Sequence, residues 1–225
     1  MRKEPGNTLD KLLKFDNLIT KAFIKNCFIG IDEVGRGSLA GPVIACAFSW
    51  KKDINKNMRC NATLQKLNDS KRLNKNERNK LYLSLMEFGD FGIGYGSVQE
   101  IEKLNILNAT FLAMKRAFEN LLLKIENLEP YILIDGNKFN PYINCRQLPV
   151  VHGDAKSSLI ASASIIAKVY RDGLMYRVAK LKKYKRYGWL TNVGYGTKFH
   201  RDAIKKHGLT PLHRKLFVRK VLKED

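Results

Sequence analysis

Two adjacent carboxylates stand at the end of a short apolar segment near the N-terminus. The segment predicts a β-strand over 28–32 that ends on Asp32, and Glu33 is the next residue. Paired acids at a sheet edge repel each other unless a cation lies between them. The tripeptide Gly35-Arg36-Gly37 follows directly. Its glycines permit close approach to a bulky anion, and its arginine offers a planar cation. The pattern predicts a divalent-metal site built against a phosphate backbone.

Two further carboxylates follow apolar segments later in the chain. Asp135 ends a predicted strand over 131–135, and Asp154 follows 150–153 near a predicted helix start. A single aspartate at such a place most often forms a turn or caps a helix, and Asp154 alone is equally well explained as an N-cap. Oxygen ligands without a His or Cys cluster suit Mg²⁺ or Mn²⁺, not zinc. Four such carboxylates could hold two ions for in-line attack on a phosphodiester.

The overall charge favours a nucleic-acid partner. The 225 residues include 41 Lys and Arg against 21 Asp and Glu, a formal net charge of +20. An excess of this size is typical of proteins that contact phosphates, although a lysine-coated soluble protein would give the same count. The four cysteines have no close spacing, which favours a reducing cytoplasm. We expect no membrane partner, because no apolar stretch is long enough to cross a bilayer.

Strands alternate with helices along the chain, which predicts one α/β domain with a basic helical C-terminus. Further strands are predicted at 43–50 and 91–98, and a loop at 53–68. Helices are predicted at 74–88, along the apolar stripe from Leu107 to Ile125, and from Ser157 onward. The first 26 residues predict a helical extension, whose apolar face would comprise Leu9, Leu12, Leu13, Ile19 and Phe23.

The C-terminal third combines aromatic and basic residues. Tyr195 lies between two glycines, which favours an exposed ring on which a sugar or base can stack. Trp189 is better explained as a core residue. Lys71 and Lys156 are candidate phosphate contacts, although isolated lysines are usually only solvated.

In their order along the chain, these motifs resemble the ribonuclease HII family, the type 2 ribonucleases H, from about Cys27 onward. The resemblance rests on Asp32–Gly37, Asp69–Leu73, Leu104–Thr110, Ile134–Gly136, Gly153–Ser157, parts of Ala163–Asp172, Gly194–Thr197 and Thr210–Arg214. Each motif is weak alone, but the ordered set is highly specific. Ser38 stands where many members of the family carry proline.

The resemblance implies a ribonuclease H-like mixed β-sheet flanked by helices. It divides the chain into an N-terminal extension at 1–26, a catalytic domain at 27–180 and a basic helical appendage at 181–225 that contacts substrate. It also implies an endoribonuclease that hydrolyses the RNA strand of RNA/DNA hybrids and cuts 5′ of single ribonucleotides embedded in duplex DNA. The implied reaction uses Mg²⁺ or Mn²⁺ and leaves a 5′-phosphate and a 3′-hydroxyl. We expect the protein to act as a monomer.

The family's functional residues can be placed on this chain one by one. Its metal-binding acids fall on Asp32, Glu33, Asp135 and Asp154. Its 2′-hydroxyl-reading segment falls on Gly35, Arg36 and Gly37, and its junction tyrosine on Tyr195. Phosphate contacts are implied for Lys71 and, further along, for Ser164 and Lys168, whereas the Arg171-Asp172 pair is structural in the family.

Two other classes of function remain open from the residues alone. A DNA-cutting enzyme of the same fold, such as a transposase or junction resolvase, would also need clustered acids and positive charge. It would not need the Gly-Arg-Gly segment and the tyrosine, and it would cut DNA that lacks ribonucleotides. A non-enzymatic basic binding protein would use the same acids only as caps and turn formers.

Overall fold

The computed structural model describes residues 8–21, 26–51, 61–68, 70, 73–125 and 129–222. The strands in these ranges are β1 (Asn26–Val34), β2 (Val43–Trp50), β3 (Gly89–Gly96), β4 (Glu129–Asp135) and β5 (Arg146–Val150). The α-helices are α1 (Thr8–Lys21), α2 (Lys75–Phe88), α3 (Val98–Leu122), α4 (Ser158–Ala179), α5 (Trp189–Asn192), α6 (Lys198–His207) and α7 (Lys215–Val221). Of the helices described, none is long and apolar enough to cross a bilayer.

The five strands form one mixed sheet in the order β3-β2-β1-β4-β5. β1 pairs antiparallel with β2, and β2 pairs antiparallel with β3, whereas the β1–β4 and β4–β5 pairs are parallel. In the parallel register of β1 and β4, Ile31 stands opposite Ile134. The next residues, Asp32 and Asp135, therefore lie side by side near the ends of the two central strands. This mixed sheet confirms the predicted fold class.

Each face of the sheet buries its own apolar cluster. Phe48 and Leu133 pack with Ile160 of α4 on one face. Ile31 packs with Phe118 of α3 on the other. Because neighbouring residues in a strand point to opposite faces, residues next to Ile31 and Ile134 face α4.

Helix α4 lies unusually close to strand β1. A Cβ atom added to Gly30 would lie 2.2 Å from the carbonyl carbon of Leu159, so only glycine fits there. The small residues Ala161–Ser164, which predict close helix-to-sheet packing, are buried at this contact. The close approach brings the side chains of α4 to the ends of the central strands.

Most predicted elements are present, with shifted ends. Asn74 and Ser157 are N-caps, each accepting a backbone N–H from three residues further on, so the predicted helices begin one residue later. The predicted strand 91–98 is wrong by two residues at each end. Ser97 and Glu100 form a capping box that starts α3 at Val98, so β3 must end before it.

Other predicted elements differ from the structure in where they begin or end, and one strand was missed. The first strand extends beyond 28–32, so Asp32 and Glu33 lie within it. The helix predicted from Leu107 begins at Val98 instead, with non-helical backbone at Asn105 (φ 66°). Strand β5 is short, contains Pro149 and was not predicted. Of the loop predicted at 53–68, residues 53–60 lie outside the described ranges, as does Phe23 of the predicted N-terminal helical face.

A third apolar cluster joins the C-terminal segment to the rest of the chain. Trp189 is completely buried (0% exposed), which confirms the prediction that it is a core residue. It packs in one cluster with Tyr187, with Met175 of α4, and with Leu39 and Ala40 from the loop after β1. The segment from 181 onward thus shares a core with the loop that follows the paired acids.

Two buried histidines beneath this cluster are held in the neutral form. The Trp189 indole N–H donates to Nε2 of His200 (2.9 Å), so the protonated Nδ1 of His200 donates to the Tyr195 carbonyl (2.9 Å). The Thr210 N–H donates to Nδ1 of His213 (2.9 Å), so Nε2–H of His213 donates to Nε2 of His200 (3.1 Å). Burial lowers the pKa of His200, and burial together with His200 lowers the pKa of His213 to about 4.

This histidine pair predicts a loss of stability in mild acid. A histidine whose pKa is lowered by folding makes its full contribution to stability at pH values above its pKa of 6.5 in the unfolded chain. This contribution to stability is lost as the pH falls toward the folded pKa of about 4. Buried carboxylates with raised pKa values act in the opposite direction, so the comparison must be made between variants. We expect wild type to be more stable than His213→Asn at about pH 7, and the difference in melting temperature to shrink at about pH 5.

His207→Asn is the matched control, because His207 is exposed at the end of α6. Calorimetric melting curves of the three proteins would measure the effect. If the melting temperature of wild type exceeded that of His213→Asn by the same amount at both pH values, the prediction would be contradicted.

Candidate active site

Strands β1 and β4 place two carboxylates on one face of the sheet. Asp32 alternates with Ile31, and Asp135 with Ile134, so both acids point toward α4. Glu33 lies one residue further along β1, next to its end at Val34. All three acids line a single cavity with a volume of about 440 Å³. The structure therefore brings together three of the four acids that the sequence predicts.

Burial and neighbouring negative charge raise the pKa of two of these acids, Asp32 and Glu33. Burial raises the pKa of Asp32 well above its usual value, and the negative charges of Glu33 and Asp135 add to the effect. Asp32 is 5% exposed. Burial also raises the pKa of Glu33, against the opposing effect of Arg36, whose guanidinium lies 3.1 Å from the Glu33 carboxylate. For Asp32 and Glu33, burial and neighbouring negative charge therefore outweigh the effect of the nearby positive groups.

The fourth acid, Asp154, occupies a different position. It lies in the 3₁₀ turn Gly153–Ala155, next to a residue that contacts the site: the Gly153 N–H donates to Oδ1 of Asp135 (2.7 Å). Asp154 is buried but does not line the cavity that the other three acids share. The structure thus places Asp154 next in sequence to a residue that contacts the acid cluster, outside the cavity lining that the other three acids share.

Helix α4 and the loop before α6 supply the opposite wall of the cavity. Its lining comprises Asp32, Glu33, Val34, Gly35, Ser70, Arg78, Asp135, Ser164, Lys168 and Tyr195. Lys168 is paired with Asp172 one helical turn later (3.0 Å), which supports the structural interpretation of Asp172. The same ammonium group lies 5.5 Å from the centre of the Tyr195 ring. Tyr195 is half-buried, less exposed than its flanking glycines suggest.

Two fully buried arginines hold the Gly35-Arg36-Gly37 loop. Arg171 donates to the hydroxyl of Ser38 (2.8 Å) and also to the Val193 carbonyl (3.0 Å), close to Tyr195. Arg214 donates to the Arg36 carbonyl (2.9 Å). Burial lowers the pKa of both guanidinium groups, that of Arg214 to about 9.

The two glycines of this loop have different roles. Gly35 has φ +90°, and a Cβ there would lie 2.1 Å from Nε of Arg171, so the position requires glycine. A Cβ at Gly37 would meet nothing within 4 Å, which leaves that backbone open to a ligand. Arg36 itself is exposed.

Some residues in the site were missed by sequence reasoning, and one predicted residue cannot be placed. Lys71 lies outside the described residues, and Lys156 is exposed and absent from the cavity lining. Ser70 and Arg78 line the cavity but were not predicted as site residues. The only sequence signal for Arg78 is its place just after the capping box of Asn74 and Glu77, which fixes the first turn of α2.

The donor set fits a hard divalent cation. Carboxylate oxygens face one cavity, and a cation there would offset the burial and the neighbouring negative charges that raise the pKa of Asp32. Among the residues described, no three His, Cys, Asp or Glu side chains form a ready-made cage for a metal. Mg²⁺ does not require one, because it keeps several waters and is usually held by one or two carboxylates together with substrate phosphates.

Comparison with known proteins agrees with this geometry. The family model described as "Ribonuclease HII" matches residues 29–221. A ribonuclease HII of Fusobacterium nucleatum is 48% identical over 199 residues, covering 88% of each chain. A ribonuclease HII of Clostridioides difficile is 45% identical over 194 residues, covering 86% of this chain and 70% of the relative.

Solved structures share the fold. The crystal structure of ribonuclease H2 from Pyrococcus horikoshii superposes with a TM-score of 0.66 at 22% identity, covering 88% of this chain and 97% of that one. That of Bst-RNase HIII in complex with Mn²⁺ gives 0.67 at 19% identity, covering 89% of this chain and 70% of that one. The fold and the acid cluster together define a ribonuclease H. More narrowly, the match to the family model and to these relatives shows that the chain belongs to the ribonuclease HII family.

The clustered acids Asp32 and Asp135 should contribute to activity at the expense of stability. Asp32→Asn and Asp135→Asn should each abolish cleavage while leaving the metal-free protein as stable as wild type or slightly more stable, because each removes one of several like charges. Cleavage assays and melting curves in a chelator would measure both effects. Asp202→Asn, at an exposed carboxylate paired with Lys198, is the control and should change neither. Near-normal cleavage by either site variant would contradict the assignment.

Proposed function

We propose that this chain hydrolyses the RNA strand of RNA/DNA hybrids and cuts 5′ of single ribonucleotides in duplex DNA, leaving a 5′-phosphate and a 3′-hydroxyl. The observation that carries the proposal is the single cavity that joins Asp32, Glu33 and Asp135 to Lys168 and Tyr195. Acids for cation binding and groups for contacting a nucleic acid thus face the same space. Membership of the ribonuclease HII family supports the choice of substrate.

The cofactor is proposed to be Mg²⁺ or Mn²⁺, held by Asp32, Glu33, Asp135 and Asp154. When bound, two such ions supply activation of the attacking water and stabilisation of the leaving 3′-oxygen. A complex of the structurally similar Bst-RNase HIII with Mn²⁺ supports this choice. The chain's own contribution is to hold the acids together at the ends of β1 and β4, around a cavity in which Asp32 is buried.

The remaining residues position the nucleic acid. Lys168 presents a cation on the cavity wall, beside the Tyr195 ring on which a sugar can stack. Opposite them, the backbone of the Gly35–Gly37 loop is proposed to contact the 2′-hydroxyl, the group that distinguishes RNA from DNA. Ser164 and Lys71 are implied phosphate contacts by family resemblance alone. We further propose that the protein acts as a monomer in the cytoplasm.

Cleavage of a DNA duplex that carries one ribonucleotide tests this proposal directly. We expect a single cut 5′ of the ribonucleotide in Mg²⁺ and in Mn²⁺, and no cut in the matching all-DNA duplex. Cleavage of the all-DNA duplex would favour a resolvase-like nuclease. Binding without cleavage in either metal would favour a non-enzymatic binding protein.

Tyr195 should be needed most where only one junction exists. If its ring stacks on the sugar beside the cut, Tyr195→Ala loses a contact of about 1–3 kcal/mol, whereas Tyr195→Phe keeps the face of the ring. The Ala variant should therefore lose more activity on a duplex with one ribonucleotide than on a continuous hybrid, which offers many equivalent positions. Steady-state cleavage rates on the two substrates would measure the difference.

The chain contains its own control for this experiment. The same tripeptide, Gly-Tyr-Gly, occurs at 94–96, where Tyr95 is 58% exposed on β3 and does not line the cavity. Tyr95→Ala should leave both rates unchanged. Equal losses for Tyr195→Ala on the two substrates, with unchanged melting temperature, would mean that Tyr195 does not recognise the junction.

A further inference from the structure

Strand β3 has a free edge, because it is the last of the described strands on its side of the sheet. Such an edge presents backbone groups to which the strand of another molecule can bind. Three side chains donate to alternate carbonyls along this edge: Arg116 to Tyr95 (2.7 Å), Asn120 to Ile93 (2.8 Å) and Lys124 to Phe91 (2.8 Å). The donors are four residues apart and the acceptors two residues apart, so the three hydrogen bonds form a ladder.

The ladder is regular because the repeats of the helix and the strand match. Four residues rise about 6 Å along a helix, and two residues rise about 6.6 Å along a strand. Arg116 and Asn120 belong to α3, and Lys124 follows shortly after its last residue, Leu122. One donor on each successive turn of the helix therefore reaches the next outward-facing carbonyl of β3.

Glycines on β3 allow α3 to come close enough for these contacts. A Cβ added to Gly92 would lie 2.1 Å from the carbonyl oxygen of Ala117. A Cβ added to Gly94 would lie equally close to the carbonyl oxygen of Ala113. The backbone of α3 thus packs directly against the strand, which keeps the donor side chains beside its edge.

Two of the three donors are also held by a second contact. Arg116 forms an ion pair with Glu100 of the capping box that starts α3 (2.7 Å). The Lys124 ammonium group lies 4.9 Å from the centre of the Phe91 ring. Both long side chains are therefore restrained at the edge of the sheet.

We propose that Arg116, Asn120 and Lys124 close the edge of β3 against a strand of a second copy of this chain, and so keep the protein monomeric. An added strand would have to donate its own N–H groups to the three carbonyls that the ladder occupies. A second copy fits this edge because antiparallel pairing of β3 with β3 is self-complementary. This inference extends the proposed monomeric state and does not depend on the reaction.

The double variant Asn120→Ala/Lys124→Ala tests the ladder and leaves Arg116 paired with Glu100. Dimerisation of this variant no longer has to break two hydrogen bonds of the monomer. Its association constant in sedimentation equilibrium should therefore exceed that of wild type by roughly tenfold or more. Amide protons of β3 should become more protected from hydrogen exchange as the protein concentration rises. Adding Arg116→Ala should increase both effects.

Lys115→Ala is the matched control. It also removes one positive charge, but Lys115 pairs with Glu119 on the same helix, so this variant should sediment like wild type. If the double variant stays as monomeric as wild type, or dimerises without protection of the β3 amides, the ladder is refuted. A wild type that already pairs through β3 would refute both the ladder and the proposed monomeric state.

The same variants separate this inference from the proposed reaction. None of the three ladder residues lines the cavity that contains the acids, so every variant should cleave the ribonucleotide-containing duplex at the wild-type rate. If wild type does not cleave, the proposed reaction fails, and the sedimentation result still decides whether the ladder closes the edge.

Discussion

Mutual repulsion among Asp32, Glu33 and Asp135 is the constraint on which the rest of this structure depends. The parallel register of β1 and β4 forces two of these charges side by side, and α4 covers them. Without Gly30, the backbone of α4 could not approach so closely, and Asp32 would lie in solvent at a more ordinary pKa. A fold that keeps such a cluster gives up stability in order to hold three carboxylates around one cavity. The same helix that buries the acids also delivers Ser164 and Lys168 to them.

Charge of the opposite sign is buried nearby for a different purpose. Arg171 and Arg214 have their donors directed mainly at backbone carbonyls, in the loop after β1 and in the loop before Tyr195. Burying two neighbouring cations is costly, which is why the pKa of each is lowered. The side chain of Arg171 contacts both the loop after β1 and the loop before Tyr195. The Gly35–Gly37 loop and Tyr195 therefore cannot move independently of each other.

The sequence predicted the parts of this site that depend on local chemistry. Acids at strand ends, the long helices and a buried Trp189 were all predicted from patterns along the chain, whereas the caps that set the exact helix starts were not. The limits are clearest for the two Gly-Tyr-Gly tripeptides, at 94–96 and 194–196, which are identical in sequence. The first tripeptide lies in an edge strand, whereas the second lies in a loop held by His200 and Arg171. Contacts outside the tripeptide therefore determine which structure each copy adopts. Ser70 and Ser164, whose hydroxyls are 2.9 Å apart, meet across the fold, which no local pattern could indicate.

The N-terminal helix shows how such long-range contacts extend the site beyond the matched family region. Helix α1 precedes residue 29, where the family match begins. Nevertheless, Oδ2 of Asp16 on α1 accepts both the N–H (2.8 Å) and the hydroxyl (2.5 Å) of Ser158, the first residue of α4. Burial raises the pKa of Asp16, so this carboxylate is retained there at a cost. Its position at the positive end of α4 offsets part of that cost. Asp16 therefore fixes the start of the helix that follows Asp154 and carries Ser164 and Lys168, which makes α1 part of the architecture that positions the acids.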